Sequence, residues 1–322
     1  MQERLWVKNI GQLVTVCDKN QKFVAGTESK KAAVLKKDEE GPFPNMLNMF
    51  VDSSGNIERI CYDNELISGC KIDISTTKII DAEGKCIIPG FVDAHTHSVW
   101  DGDRVHEFAM KLAGAGYMEI MEMGGGIHFT VRKTKEASQE KLEELLEKRL
   151  AQMLNYGSTC VEVKSGYGLE IETELKMLRV IHEVKKRVKQ TVTSTYLGPH
   201  AVPRGISAED QTQSIIKTHL PALKTALDNE EISLDQLDAF TETGVFTVDQ
   251  TERIMNAALD LGLDQTLNIH VEELSCLGGA EMVAKLKQGR AASHLEEVSD
   301  EGIKQMAENN IAAVLLQCVK NV

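Results

Sequence analysis

The chain has 322 residues and a formal net charge of −13, with 42% apolar and 26% charged residues. That is an ordinary composition for a globular chain, with room for one large domain and a smaller one. The acidic balance argues against a nucleic-acid partner, which needs a basic face, and against docking on an anionic membrane. No apolar run reaches the length of about 18 residues that a membrane span requires. The opening residues M-Q-E-R-L-W-V-K-N-I lack the apolar centre of a signal peptide. Seven cysteines occur singly, with no C-x-x-C pair, so reduced thiols and a cytoplasmic setting are expected.

Residues 1–88 predict a small β module. Leu13 to Cys17 is a β-rich run, and V-D-S-S-G-N-I within Met49 to Ile60 signals a hairpin. Ile72 to Ile80 and Lys85 to Ile88 continue the strand pattern, and the charged stretch Lys36 to Pro44 is a surface loop. Residues 89–322 switch to alternating strands and helices. Ile87 to Val92 is a short apolar run broken by Pro89-Gly90, suited to a buried strand. Leu142, Leu146, Leu150 and Met153 share one helix face, stopped by Gly157. Further strands are expected at Thr159–Val163, Val192–Leu197, Leu237–Phe240, Thr266–His270, Ala291–Leu295 and Ile311–Leu316, with helices between. Pro221 must kink or split the helix over Ile215–Ala226. Seven β-units in alternation with helices predict an α/β fold: a (β/α)8 TIM-like barrel that stops one strand short, plus the N-terminal β module. A doubly wound open sheet is the structural competitor, weakened because no G-x-G-x-x-G follows the first strand.

In a barrel the chemistry collects where strands end. His95 and His97 end the first unit; on an extended chain they share a face, about 7 Å apart at Cα, close enough to hold one metal ion. Later units end at Lys164 and Tyr167, at His200, at Glu242, at His270 with Glu273, and at His294. His270 is the candidate third metal ligand, because it directly ends an apolar run. Glu273 can take a proton from water activated by the metal, and His294 can polarise a substrate carbonyl. Each also has a plainer reading: a carboxylate favoured at a helix N-terminus for Glu273, and a satisfied core imidazole for His294. The guanidinium of Arg104 suits a substrate carboxylate, Tyr167 and His200 offer hydrogen bonds at the rim, and Gly124-Gly125-Gly126 can bring backbone N–H groups to an anion.

F-V-D-A-H-T-H resembles the amidohydrolase superfamily. The longer set narrows it: H-T-H-x6-R-x-H-E-F, A-G-x-G-Y-M-E-I, K-S-G-Y-G-L, L-G-P-H-A-V-P, H-V-E-E-L and S-H-L-E-E-V-S-D-E-G-I are together similar to the imidazolonepropionase family, over about Pro89 to Leu316. The resemblance implies a metal-dependent amidohydrolase barrel that opens the ring amide of 4-imidazolone-5-propanoate to N-formimidoyl-L-glutamate in histidine degradation. It implies one divalent ion, zinc or iron, on His95, His97 and His270. Glu273 and His294 would serve proton transfer. Arg104, Tyr167 and His200 would hold the small anionic substrate, with Tyr117 lining the pocket. Related two-metal enzymes carry a carbamylated lysine on the fourth strand, where this chain reads F-T-E-T-G. The family also draws an aspartate ligand from an eighth strand. Here the sequence reads L-L-Q-C-V-K-N-V and stops, so a truncated or spliced form of low or no turnover is expected. Two other readings stay open: another cyclic amidohydrolase or deaminase, and an inactive form that acts by association. A homodimer also stays open.

Overall fold

The computed structural model describes residues 4–16, 24–38, 44–66, 74–114 and 125–316. The chain divides into two units, Met1–Gly90 and Phe91–Val322.

The first unit is built of strands β1 (Arg4–Ile10), β2 (Gln12–Val16), β3 (Ala33–Lys36), β4 (Leu47–Val51) and β5 (Ile57–Tyr62), a single helical turn α1 (Asp63–Leu66), and strands β6 (Thr77–Asp81) and β7 (Cys86–Ile87). One sheet runs β5-β4-β1-β6 and a second β3-β2-β7. The hairpin expected at V-D-S-S-G-N-I is β4–β5. Its turn is closed by Asp52, whose Oδ1 accepts from Ser54 N at 2.8 Å and Asn56 N at 2.9 Å, while Gly55 takes φ 89°. Val7, Ile10, Leu13, Leu47 and Ala82 form its core. Cys17, Ile72 and residues 39–43 of the expected loop lie outside the described residues.

The second unit opens with β8 (Phe91–Asp93) and helices α2 (Val105–Leu112), α3 (Ile127–Glu136) and α4 (Gln139–Asn155). It continues with β9 (Ser158–Lys164), α5 (Ile171–Lys185), β10 (Thr191–Tyr196), α6 (Ala208–Ser214) and α7 (Leu220–Asp228). The remainder is β11 (Gln236–Leu237), β12 (Phe240–Thr241), α8 (Val248–Asp260), β13 (Thr266–Val271), α9 (Gly279–Lys285), β14 (Gly289–His294), α10 (Asp300–Glu308) and β15 (Ala312–Val314). Four of these helices start on a Ser or Thr, at positions 138, 207, 247 and 299, whose hydroxyl accepts a backbone N–H of the first turn. Thr247 and Gln250 complete a reciprocal capping box. The apolar faces of the helices bury Leu142, Leu146 and Leu150 from α4, and Leu175, Leu178 and Ile181 from α5.

The strands of this unit form one parallel sheet in the order β8-β9-β10-β11-β13-β14-β15, with β12 also paired to β13. Neighbouring strands lie about 4.8 Å apart, so β8 and β13, four steps apart, would be about 19 Å apart in a flat sheet. Instead Asn268 Nδ2 of β13 donates to Ala94 O, just past β8, at 3.2 Å. The sheet is therefore curled, and its two halves face each other across a narrow interior.

Two local departures from the sequence reading have physical causes. The helix expected through Pro221 breaks into α6, a π-helical turn at Ile215–His219, and α7, with Pro221 in the first turn of α7. The wider turn accommodates a residue that has no N–H to give. The strand expected over Leu237–Phe240 is two fragments, β11 and β12, because the Asp238 carboxylate takes the Ala239 N–H at 2.7 Å and so turns that amide away from a neighbouring strand. Among the described residues no helix is long and apolar enough to cross a membrane.

Leu178 is fully buried between α5 and the sheet. Leu178→Ala is expected to lower unfolding stability by about 2–5 kcal/mol in urea titration, and Glu252→Ala on the exposed side of α8 by no more than about 0.5 kcal/mol.

Candidate metal centre

The residues after β8 stay extended beside β9. Lys164 N donates to Thr96 O at 3.1 Å, and Thr96 Oγ1 donates to Glu162 O at 2.6 Å. Thr96 thus faces the neighbouring strand, while His95 and His97 alternate to the opposite side. Arg149 pins the segment that follows. Its Nη1 donates to Ser98 O at 2.9 Å and Trp100 O at 2.8 Å, and its guanidinium lies 3.6 Å from the Trp100 ring centroid.

The curl brings His270, at the end of β13, against this pair. His97 Nε2 lies 3.3 Å from His95 Nε2 and 3.2 Å from His270 Nε2. Two nitrogens bound to one tetrahedral cation at about 2.0–2.1 Å each would sit about 3.3 Å apart. Both observed separations match that chord. Burial drives the pKa of all three imidazoles far down. Next in size come the neighbouring His270 for His95, His200 for His97, and the Lys164 ammonium for His270. They are therefore neutral, which is the form that offers a lone pair to a metal. The site residues fit a metal ion. Two overlapping triads of donor atoms can hold one, His95–His270–His294 and His97–His200–His270, with each set of atoms within 4.8 Å; the expected set His95, His97 and His270 is divided between them, with His270 in both.

The other expected residues surround this point. His200 stacks on His97, with centroids 4.9 Å apart at 17°. Its Nδ1 donates to Gly166 O at 2.8 Å, leaving Nε2 as an acceptor. Gly166 has φ 105°, and a Cβ there would come within 2.9 Å of the His200 ring, so only glycine suits that turn. Tyr167, on the same turn, lies 5.8 Å from His97 and 5.5 Å from His200 by ring centroids. Burial raises its pKa, so its hydroxyl remains a donor. The turn is clamped by Glu174, in the first turn of α5, whose carboxylate accepts from Gly166 N, Gly168 N and Leu169 N at 3.0, 2.6 and 2.9 Å.

His294, at the end of β14, packs edge-on against His95, with centroids 5.2 Å apart. It sits between two carboxylates, Glu273 at 3.6 Å from Nε2 and Glu296 at 3.7 Å from Nδ1. Burial lowers its pKa to about 4. Burial raises Glu273 to about 7, aided by the charges of Glu296 and Glu242. His294 and Leu295 adopt φ 80° and 70°, a strained pair for residues with side chains. Glu242 is bound up in backbone contacts, accepting from Leu274 N and Ser275 N at 2.9 and 3.3 Å.

Arg104 and Tyr167 line a cavity of about 340 Å³ with Trp100, Glu107, Phe108 and Thr130. Arg104 Nε and Nη2 both donate to Glu107 Oε2, at 2.8 and 2.7 Å. Glu107 Oε1 accepts Gly126 N at 2.9 Å. The anion met by the glycine run is thus an internal carboxylate. Tyr117 and Gly124 lie outside the described residues.

Sequence reasoning passed over Asp238, Glu162 and Glu296. Lys164, named only as a strand end, is fully buried with Nζ on Glu162 Oε1 at 2.5 Å and on Asp238 Oδ2 at 2.7 Å. Burial works against its charge, but the two carboxylates outweigh that and raise its pKa.

No protein-family model matches the chain. It is 47% identical over 313 residues to a Xenopus tropicalis protein named probable imidazolonepropionase, spanning 97% of this chain and 69% of that protein. It is 46% identical over 312 residues to the Homo sapiens protein of that name, spanning 97% of this chain and 70% of that protein. The chain belongs to the imidazolonepropionase family. Solved structures of similar fold include 5-methylcytosine deaminase from Klebsiella pneumoniae, at TM-score 0.59 and 13% identity, covering 96% of this chain and 65% of that one. An amidohydrolase from an environmental sample of the Sargasso Sea matches at TM-score 0.54 and 13% identity, covering 96% of this chain and 63% of that one. At such identity these structures speak for the fold of an imidazolonepropionase-family chain and for nothing finer.

Glu273 yields a test in the metal-free protein. Its folded pKa of about 7 lies above the ordinary 4.5. The native state therefore holds this proton more tightly than the unfolded chain, and stability falls as pH rises from about 4.5 to about 7. The carboxyl signal of ¹³C-labelled Glu273, assigned with Glu273→Gln, is expected to titrate near neutrality. In Glu296→Gln, which removes a like charge, its midpoint should move down.

Proposed function

We propose that the chain binds one divalent ion on His95, His97 and His270 and opens the ring amide of 4-imidazolone-5-propanoate, giving N-formimidoyl-L-glutamate. The observation that carries this reading is the pair of Nε2 separations, 3.3 and 3.2 Å, among neutral imidazoles that are buried or half-buried, in a chain of this family. The curled parallel sheet is read as the wall of an amidohydrolase (β/α)8 barrel, with residues 1–88 as the accompanying β module. Both imidazole triads need His270, and one ring nitrogen serves one ion, which supports a single metal. Lys164 is engaged by two carboxylates, which leaves it no role as a bridging ligand. All-imidazole donors suit zinc or iron.

A divalent ion bound there would supply Lewis acidity and lower the pKa of water. The chain's own groups do the rest. Arg104 and Tyr167 bind the propionate tail in the cavity they share, and His200 presents Nε2 to a ring N–H. Glu273, with a pKa near neutrality, accepts a proton from the attacking water. The ring C–N bond breaks as the carbonyl carbon gains that oxygen, and the proton on Glu273 passes to the departing nitrogen. His294, neutral and held beside Glu273, orients the carbonyl. The free thiols of Cys61, Cys86, Cys160 and Cys276 support a reducing setting, the cytoplasm.

The purified chain is expected to retain one equivalent of zinc or ferrous iron and to consume imidazolonepropionate faster than buffer in a metal-dependent way. His270→Ala should lose the metal. Full metal occupancy with no ring opening above the buffer rate would overturn the reading. Arg104→Ala is expected to weaken binding of the anionic substrate about tenfold to a hundredfold, the worth of a charged hydrogen-bond pair. It should leave binding of a neutral cyclic amide unchanged, as measured by calorimetry.

A further inference from the structure

We infer that Asp238, pinned by the buried Lys164 ammonium, is a positioning residue that fixes the ring orientation and tautomer of His270. The inference rests on the metal reading of the site, and it adds residues that the reading did not need.

Asp238 is fully buried in the break between β11 and β12. Its two oxygens accept from four donors. Oδ1 takes His270 N at 3.0 Å and Ala239 N at 2.7 Å, and Oδ2 takes His270 Nδ1 at 2.8 Å and Lys164 Nζ at 2.7 Å. A carboxylate offers about four such positions, so this one is saturated and cannot swing. It grips His270 at both backbone and ring. Because a carboxylate only accepts, the ring proton sits on Nδ1, and the Nε2 lone pair points at His97 Nε2, 3.2 Å away.

The grip extends across neighbouring strands. Lys164 of β9 also donates to Glu162 Oε1 at 2.5 Å, and that oxygen accepts Thr195 Oγ1 of β10 at 2.6 Å. By contrast, Nδ1 of His95 and Nδ1 of His97 are buried with no hydrogen-bond partner among the described residues. Of the three proposed ligands, His270 alone is locked from behind, and it is the one common to both imidazole triads. A metal ligand oriented through its second ring nitrogen is worth about 10–100-fold in affinity.

The test reads the tautomer and the metal separately. In the metal-free protein labelled with ¹⁵N-histidine, the His270 ring is identified by its loss in His270→Gln. A long-range ¹H–¹⁵N spectrum should show it neutral and protonated on Nδ1 between about pH 6 and pH 8. Asparagine supplies one acceptor oxygen where the ring and the backbone amides need two. The Asp238→Asn/Lys164→Met/Glu162→Gln variant removes all three buried charges of the cluster together, stranding none, and so protects the fold. It should lose the fixed tautomer and bind zinc about tenfold to a hundredfold more weakly in chelator competition. A wild-type His270 protonated on Nε2, or a folded triple variant that binds zinc like the wild type, would overturn the inference. A wild-type chain with no zinc affinity would instead sink the metal reading, and the tautomer measurement would still decide the role of Asp238.

Discussion

The curl of the parallel sheet is the constraint on which the site depends. His97 and His270 are 173 residues apart in sequence, with β9, β10 and β11 lying between their strands, yet their Nε2 atoms are 3.2 Å apart. Nothing local to either histidine could achieve this. The helices outside the sheet, from α4 to α10, bury their apolar faces against its outer side and hold the curvature. The inner side is thereby narrowed until residues on facing strands touch. Asn268 reaches Ala94 O across the interior and also accepts Ser293 Oγ at 2.7 Å, tying three strand ends together. The same closeness excludes water, and so the imidazoles become neutral ligands in place of charged, solvated side chains.

An interior of this kind must satisfy its polar groups without water. The structure arranges these groups in two layers, and leaves Nδ1 of His95 and of His97 without a partner among the described residues. Near the mouth, neutral imidazoles face one another and His294 lies between Glu273 and Glu296. One level deeper, Lys164, Glu162 and Asp238 neutralise much of each other's charge at hydrogen-bond distance. Such a buried set gives little net stability against an apolar replacement, and removing one member leaves an uncompensated charge. Its value lies in orientation, since each acid also holds a neighbouring strand. The positive φ angles of His294 and Leu295 fit the same picture. The packing around β14 supports a backbone strain of order 1–3 kcal/mol per residue to aim one ring.

Much of this was legible in the sequence, for identifiable reasons. Alternation after an apolar run places His95 and His97 on one face, and His270 directly ends another such run. The unit order follows from helix and strand periods alone. Asp238 was not legible, because L-D-A-F reads as a strand in which an acid should face solvent, whereas the inner face of a curled sheet reverses that rule. A signal was present in V-E-V-K and L-D-A-F. Charges of opposite sign stand at alternate positions between fully apolar neighbours, which is what a buried pair on one inward face requires. Glu174 and Glu107 were hidden differently. Each looks like an ordinary first-turn helix acid, and only the tertiary structure shows that one carboxylate clamps the Tyr167 turn while the other holds Arg104 and Gly126 together.

The electrostatic layout also explains how acid–base work and ligand work coexist within a few ångströms. The proposed ligands lie beside the Lys164 ammonium, which together with burial keeps protons off them. Glu273 lies on the far side of His294, near Glu296 and Glu242, where like charge and burial keep a proton on until about pH 7. One side of the cluster is thus set to donate electron pairs and the other to exchange protons. His294 marks the boundary. Its ring faces His95 on one side, with centroids 5.2 Å apart, and Glu273 on the other, with Nε2 3.6 Å from the carboxylate. Moving that boundary by one strand would put the proton carrier among the ligands, beside the Lys164 ammonium, whose charge favours an ionised carboxylate and so makes it a weaker base for water.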